Sequence, residues 1–490
     1  MLRETGQMEM SLSPYQGLYD LIIPKEHLLR KIKENIDFSF VNPMLKQQYC
    51  EHFGRPAKEP EMMFKLMFLK KLYDLSDERL VSSSGTDMAY KYFLGLDPEA
   101  GMIDPSLMTK FRKTRITEDI LEEMLSETVQ QAISKGLIKS RMIIVDATHS
   151  KSSAKHETPT QILRRLTKGL RKELYRTQFE LSGSFPEKPV ETADLNDEIE
   201  YSKRLVETVK TSVMEAGTAK SKKALAKVEG LLADDKIKKI QSVVDEDAKL
   251  GHKSEDNSFF GYKTHIAMTE ERIITGLEVT TGEAPDCESL KSLVEQSENN
   301  GVKIEEISGD TAYSSRDNLE YAKGKEIKLI SKLNPVISNG TGQAAKGFIY
   351  NKDADMFQCP AGHLAIRKTK RDRSKEGKNK TITYYFDTAK CKSCPMREGC
   401  YKEDSQVKTY SVTILSEVHI EQKEFQETEY FKERAKQRYM IEAKNAELKQ
   451  SHGLEKADSV GVFAMRLQSY FTGFVANVKR IVKLAEVKRA

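Results

Sequence analysis

The sequence lacks the segments that direct a chain to secretion or into a membrane. Residues 1–10 carry three charges and no apolar run, so they do not resemble a secretory signal. The best candidate for a membrane span, 467–478, is shorter than the ~20 residues that a transmembrane helix needs. We therefore expect a cytoplasmic protein without a membrane partner.

Cysteine is also scarce, with six residues in a chain of 490. That number is too small for the disulfide framework of a secreted domain. Four of the six lie in the stretch 359–400. In a chain without a secretory signal, such clustering favours a metal site over disulfide bonds.

Neither sign of charge is in large excess, since 79 Lys and Arg face 74 Asp and Glu for a net charge of +5. Any surface that binds nucleic acid must therefore be a local patch of positive charge. Hydrophobic residues make up 38% of the sequence, which suffices for an ordinary core, and the length suggests several domains.

Strand patterns are present in the middle of the chain. The short apolar run 142–145, with β-branched members, predicts a buried strand. The alternating segments 261–268 and 273–280 predict a hairpin, and 302–307 predicts a further strand. The expected fold class is α/β, with a mixed sheet.

Helical patterns flank and interrupt this sheet. Short helices with basic faces at the start suit a helix-turn-helix-like unit, and an ordinary helical bundle explains them equally well. Residues 425–450 predict one long polar helix, and an aromatic stripe after it suits core packing or a subunit contact. The expected units are a helical N-terminal DNA-binding domain (1–139), a sheet domain (140–332 with 413–455), a helical hairpin inserted in it (151–256), a basic cysteine-bearing insertion (333–412) and a C-terminal helix (456–490).

Two carboxylates are expected to meet at the ends of adjacent strands, because Asp146 and Asp310 each follow a predicted strand. Close carboxylates stay ionised when a cation neutralises them, and Mg²⁺ or Mn²⁺ suits their oxygens. Two such ions can activate a water or a 3′-hydroxyl and stabilise the leaving oxygen of a phosphodiester. That chemistry needs a third acid, for which Glu442 is the candidate. An isolated strand-end aspartate is more often a turn residue or a cap.

Glu442 lies in the spacing R-x₃-E-x₆-K with Arg438 and Lys449. Arg438 and Glu442 share a helix face, and Lys449 lies near that face two turns further on. A carboxylate for a metal beside two cations for phosphates suits a helix that handles DNA. A solvated helix with an ion pair explains the triplet alone more simply.

Four segments together resemble bacterial insertion-sequence transposases of the DDE class, whose catalytic domain is ribonuclease-H-like. They are 144–148, 261–265, 308–313 and 438–449. The last is similar to the Y-x₂-R-x₃-E-x₆-K signature of one large group of these enzymes, although its tyrosine position falls on Ala435. The helical start and the cysteine-bearing insertion also recur in a subgroup of the family.

The resemblance implies a DNA transposase. Asp146, Asp310 and Glu442 would hold two Mg²⁺ ions, and Arg438 and Lys449 would position phosphates near the cut. The enzyme would bind the terminal inverted repeats, cut at the transposon ends and join the freed 3′-hydroxyl to target DNA. Bringing two ends together implies at least a homodimer during the reaction, and the bacterial nucleoid is the expected location.

The clustered cysteines suit one structural Zn²⁺ ion. Cys391 and Cys394 form a C-x₂-C pair, and Cys400 and Cys359 complete four thiolates, with His363 as a substitute ligand. The ion would brace an insertion that has few apolar residues. The alternative is a set of reduced cysteines without metal.

A basic run lies beside these cysteines. Between 367 and 380 eight basic residues face two acidic ones, and we expect this run to contact DNA. The predicted contacts include Arg367, Lys368, Lys370, Arg371 and Arg373.

Other functions stay open. A nuclease of the same fold that cuts without strand transfer fits the same acids. A transposase-derived DNA-binding protein without catalysis is disfavoured because all three acids are present. A zinc-ribbon regulatory protein leaves Asp146 and Asp310 unexplained.

Overall fold

The computed structural model describes most of the chain, and its α/β architecture is as expected. Among the helices of the described residues, none combines the length and the apolar character that crossing a membrane requires. The described residues are 13–50, 56–190, 193–233, 237–253, 257–334, 347–351, 353–371, 381–402, 405–413 and 416–489.

The described part of the N-terminal region is helical. On α7, Arg112 pairs with Asp77 at 2.5 Å and Arg115 donates to the carbonyl of Gln48, so half of its basic residues serve internal contacts. The helices are α1 (Leu18–Ile22), α2 (Leu28–Asn35), α3 (Val41–Lys46), α4 (Pro60–Leu72), α5 (Asp77–Thr86), α6 (Met88–Leu94), α7 (Ser106–Arg115) and α8 (Glu118–Ser134).

A mixed sheet of six strands forms the centre of the molecule. The strands are β1 (Met142–Lys151), β2 (Lys249–His252), β3 (Ser258–Thr269), β4 (Ile274–Thr281), β5 (Glu306–Ser308) and β6 (Lys328–Ile330). Their order is β2-β3-β1-β5-β6, with β4 also paired to β3. β1 is antiparallel to β3 and parallel to β5, and β5 is parallel to β6. β3 and β4 form the expected hairpin.

β1 is longer than its apolar run. Its first four residues are almost fully buried, and the strand continues through Asp146 to Lys151 because β3 supplies an antiparallel partner for each residue. The prediction that this strand ends at Asp146 is therefore wrong. Asp146 instead lies inside the sheet, just beyond the segment that pairs with β5.

Where it is described, the insertion between β1 and β2 has three α-helices rather than the two of a hairpin. They are α9 (Pro159–Thr177), α10 (Leu195–Ala216) and α11 (Ala219–Leu232). Two small hydrophobic clusters of their own hold them together, and Arg164 pairs with the buried Glu198 at 2.5 Å to join α9 to α10. Two further helices, α12 (Leu290–Asn299) and α13 (Arg316–Gly324), connect the later strands of the sheet.

The cysteine-bearing insertion is a small β unit with its own apolar cluster. Phe348 stacks on Tyr410 at a centroid distance of 4.6 Å within that cluster. The elements are β7 (Ile349–Asn351) and β8 (Met356–Gln358), which pair with each other, then β9 (Arg367–Arg371), β10 (Thr381–Phe386), α14 (Thr388–Lys392) and β11 (Lys408–Thr413).

The predicted single helix over 425–450 is wrong, because the chain breaks there into α15 (Glu417–Phe425), α16 (Glu429–Ala435) and α17 (Tyr439–His452). A 3₁₀ turn precedes α17. Arg434, near the second break, bonds to Glu270 and Glu306 at 2.9 and 2.5 Å. These ties to the sheet region fix the direction of α16.

The last helix, α18 (Val462–Arg489), lies in the main core. The ring of Phe474 contacts those of Phe38, Phe64 and Phe68, with centroids 5.4–6.2 Å apart. The N-terminal helices, the sheet and α18 thus share one hydrophobic core. The aromatic stripe is a core element rather than an exposed subunit contact.

Candidate active site

The parallel pairing of β1 and β5 brings Asp146 and Asp310 together. Ile144 pairs with Ser308, and each aspartate lies two residues further along its chain. Asp310 also caps the short turn that follows, where it accepts a hydrogen bond from the N–H of Ala312 at 2.9 Å. Asp310 is therefore a cap residue and also lies beside Asp146.

Burial and mutual repulsion disfavour the charges of this pair. The pKa of Asp146 is raised to about 6, first by burial and then by the charge of Asp310. Burial also raises the pKa of Asp310, and the charge of Asp286 adds to the effect. Arg438 opposes both shifts. A divalent cation would relieve this repulsion.

Two buried polar atoms beside the pair have no hydrogen-bond partner among the described residues, namely Oη of Tyr313 and Oδ1 of Asn445. The pKa of Tyr313 is raised, first by burial and then by the charge of Asp146. Asn445 donates from Nδ2 to Oδ2 of Asp146 at 2.9 Å. Buried oxygens without partners beside two carboxylates suit a cation with its water.

Helix α17 and Arg438, the residue before it, present one face to this pair. Arg438, Glu442, Asn445 and Lys449 follow at intervals of four, three and four residues, which places them along one face. Asn445 contacts Asp146 directly, and the charge of Arg438 acts on both aspartates.

Glu442 does not join the aspartates in this structure. Its side chain is 59% exposed, and its carboxylate accepts a hydrogen bond from Nη2 of Arg438 at 2.9 Å. Within the described ranges, no three His, Cys, Asp or Glu side chains form a group that could hold a metal ion. Glu442 would have to exchange Arg438 for a cation to complete a triad.

Positive charge is concentrated next to the pair, around Lys449. Its Nζ lies 3.4 Å from Nε2 of His149. The pKa of His149 is lowered to about 4 by burial and then by Lys449, Lys253 and Lys151. Burial and the charge of Lys253 also lower the pKa of Lys449. Such crowded cations suit phosphate groups.

Asp286 is a further acid that acts on this pair, although its sequence pattern predicts only a helix cap. Its Oδ1 accepts a hydrogen bond from Nζ of Lys263 at 2.7 Å, and its charge acts on Asp146 and Asp310. Aspartate at the start of a helical turn is ordinarily a cap, so its own pattern carried no signal. The available signal was Lys263, a lysine within a strand that needs an anionic partner.

The clustered cysteines form a second candidate site. Cys359, Cys391, Cys394, Cys400 and His363 line one cavity of about 410 Å³. The pKa of the Cys391 thiol is raised by burial and then by the other three thiols, and no disulfide joins the four. The thiols therefore converge, without the closed ligand geometry of a metal site.

The basic run is exposed where it is described. Lys368 pairs with Asp355, and the guanidinium of Arg367 lies 3.9 Å from the centroid of the Tyr385 ring. Lys370 is also exposed on β9. The side chain of Arg371 and all of Arg373 lie outside the described residues.

Comparisons with known proteins find transposase domains at both ends of the described fold. The transposase domain family DUF772 matches residues 18–114, and a transposase DDE domain family matches residues 358–482. An uncharacterized protein, ORF8 in the nfe locus of Rhizobium meliloti, is 32% identical over 114 residues, which are 22% of this chain and 55% of that protein. The chain thus spans about half the length of this relative. The two transposase domain matches, one in each half of the chain, indicate an insertion-sequence DDE transposase.

Proposed function

We propose that this protein binds the terminal inverted repeats of an insertion sequence and catalyses metal-dependent DNA cleavage followed by strand transfer. The observation that carries the proposal is the placement of Asp146 and Asp310 on adjacent parallel strands, beside the Arg438–Lys449 face of α17. The strand order around β1 supports a ribonuclease-H-like domain. The family assignment supports the same function.

The acids have distinct tasks in this mechanism. Asp146 and Asp310 would hold divalent cations, Mg²⁺ or Mn²⁺, with Glu442 as the third ligand. When bound, two cations would activate the attacking oxygen and stabilise the leaving oxygen of the phosphodiester. The burial of Asp146 keeps bulk water from screening its charge, which strengthens its attraction for a cation.

The cations of the chain would hold the DNA backbone. Lys449, with Lys253 and Lys151 nearby, offers positive charge to phosphates flanking the scissile bond. Arg438 now neutralises the acids, and it would turn to a phosphate once cations take over that role. His149 stays neutral at pH 7, so it can accept a hydrogen bond from Lys449 and orient its charge.

The cysteine-bearing insertion would act as a DNA clamp braced by one Zn²⁺ ion. Its support is the convergence of four thiols on one cavity and the exposed basic strand β9 beside it. The thiols would approach one another when a zinc ion binds. The helical N-terminal domain would bind the repeat, and two copies of the chain would meet when two ends are joined.

A labelled duplex that carries the terminal repeat from the DNA flanking the gene tests the proposal. We expect nicking at the repeat end with Mg²⁺, no nicking with EDTA, and loss of nicking in Asp310→Asn. A 3′-end joining assay with the same duplex separates a transposase from a nuclease of the same fold. Equal DNA binding by the wild type and Asp310→Asn, with no cutting by either, would instead support a DNA-binding protein without catalysis.

A further inference from the structure

Asn445 connects helix α17 to the aspartate pair. Its Nδ2 donates to Oδ2 of Asp146 at 2.9 Å, a contact between residues 299 positions apart. Its Oδ1 is buried and lacks a hydrogen-bond partner among the described residues. The N–H group of the amide thus has a hydrogen-bond partner in Asp146, whereas the carbonyl oxygen has none among the described residues.

An unsatisfied buried carbonyl oxygen costs about 1–3 kcal/mol, so such atoms usually have a partner. The nearby donors of α17 are already engaged: Arg438 bonds to Glu442, and Lys449 lies against His149. Amide oxygens and carboxylates are ordinary ligands of hard divalent cations and acceptors for their waters. A cation or one of its waters would supply the partner that Oδ1 lacks among the described residues.

We propose that Asn445 is a further residue of the metal site, which holds Asp146 through its N–H and offers its carbonyl oxygen to the cation or to a water bound to it. The inference rests on the proposed function, because it needs a cation at Asp146. It gives α17 a contact with the metal site that does not depend on Glu442.

Binding of Mn²⁺ to the full chain without DNA tests this role, measured from the electron paramagnetic resonance signal of the free ion. We expect Asn445→Ala to weaken Mn²⁺ binding about tenfold or more. Gln450→Ala, exposed on the same helix, should bind Mn²⁺ as the wild type does. Wild-type affinity in Asn445→Ala would overturn the inference.

Asn445→Asp is a second variant of the same size, and it keeps the test decisive if the alanine variant fails to fold. It loses the N–H that holds Asp146 but offers the cation a charged oxygen, a stronger ligand than an amide, so Mn²⁺ should bind it at least as tightly as the wild type, whereas weaker binding would contradict the inference. Thermal unfolding without metal shows which variants are folded. If Asp146→Asn also binds Mn²⁺ normally, the proposed metal site itself is wrong. This variant therefore distinguishes a failure of the proposed function from a failure of the inference about Asn445.

Discussion

Asp146 and Asp310 lie side by side because both follow, at the same distance, the paired residues Ile144 and Ser308 of two parallel strands. The register of one ladder therefore sets the separation of the two carboxylates, and no loop is needed to bring them together. Acids placed this way repel each other in the metal-free chain. This repulsion lowers the stability of the metal-free chain, and a bound cation would relieve it.

We expect Asp146→Asn to stabilise the metal-free protein while it abolishes cleavage. The pKa of Asp146 is about 6 in the folded chain, against about 4 in an unfolded one, so stability falls as pH rises through that window. The substitution should raise the free energy of unfolding by about 3 kcal/mol at pH 7, and the gain should vanish near pH 4. Urea denaturation at both pH values, with the exposed Asp317→Asn as control, measures this. An equal effect at both pH values would count against it.

Glu442→Gln should leave DNA binding intact and lower cleavage by about a hundredfold or more, because one charged ligand is lost. Gel-shift and nicking assays on the same duplex measure the two effects. Glu433→Gln, an exposed glutamate on the preceding helix, is the matched control. Wild-type nicking by Glu442→Gln would remove this residue from the catalytic set.

Lys449→Gln should weaken binding to DNA of any sequence and reduce the slope of log K against log salt by about one, since one phosphate contact is lost. Fluorescence anisotropy at several salt concentrations measures the slope. The exposed Lys483→Gln should leave it unchanged. An unchanged slope in Lys449→Gln would place this lysine outside the DNA path.

The purified protein should contain one Zn²⁺ per chain, measured by atomic absorption. Cys391→Ser and Cys394→Ser should each lose the metal and expose the insertion to protease, because a small β unit depends on its bound ion. Cys50→Ser, outside the cluster, should retain it. Metal-free wild-type protein that resists protease equally well would show that the insertion folds without zinc.

Asn477→Leu should destabilise the whole protein by about 3 kcal/mol, since it leaves a buried strand unsatisfied. The amide of this α18 residue accepts from the N–H of Ile274 at 2.7 Å and donates to its carbonyl at 2.8 Å. Thermal unfolding measures the loss, with the exposed Val487→Ala as control. A melting temperature within a degree of the wild type would refute it.

The sequence predicted those features that short-range patterns encode. The apolar run 142–145 and the alternating segments of the hairpin are visible in the order of polar and apolar side chains. The first strand and its antiparallel partner were therefore predictable. The extension of β1 to Lys151 was not, because its polar residues are strand-forming only through pairing with β3. The breaks around α16 likewise depend on Arg434 and its distant partners on the sheet side.

In the candidate site, too, residues with a short-range pattern were predictable and residues that depend on distant contacts were not. Asp146 and Asp310 stood out because each follows a short apolar run that predicts a strand, and the register of β1 and β5 lies two residues before each of them. Asn445 did not stand out, since an asparagine in a polar helix has no distinctive pattern. Its contact with Asp146 arises only when α17 lies against β1.

The burial of α18 has a consequence for the synthesis of the protein. Phe471, Phe474 and Val475 are fully buried among the N-terminal helices and the sheet. A product truncated before Val462 would leave those apolar surfaces open to water, which favours aggregation and degradation. We therefore expect shortened chains that keep only the N-terminal helices to aggregate or be degraded rather than to accumulate in folded form.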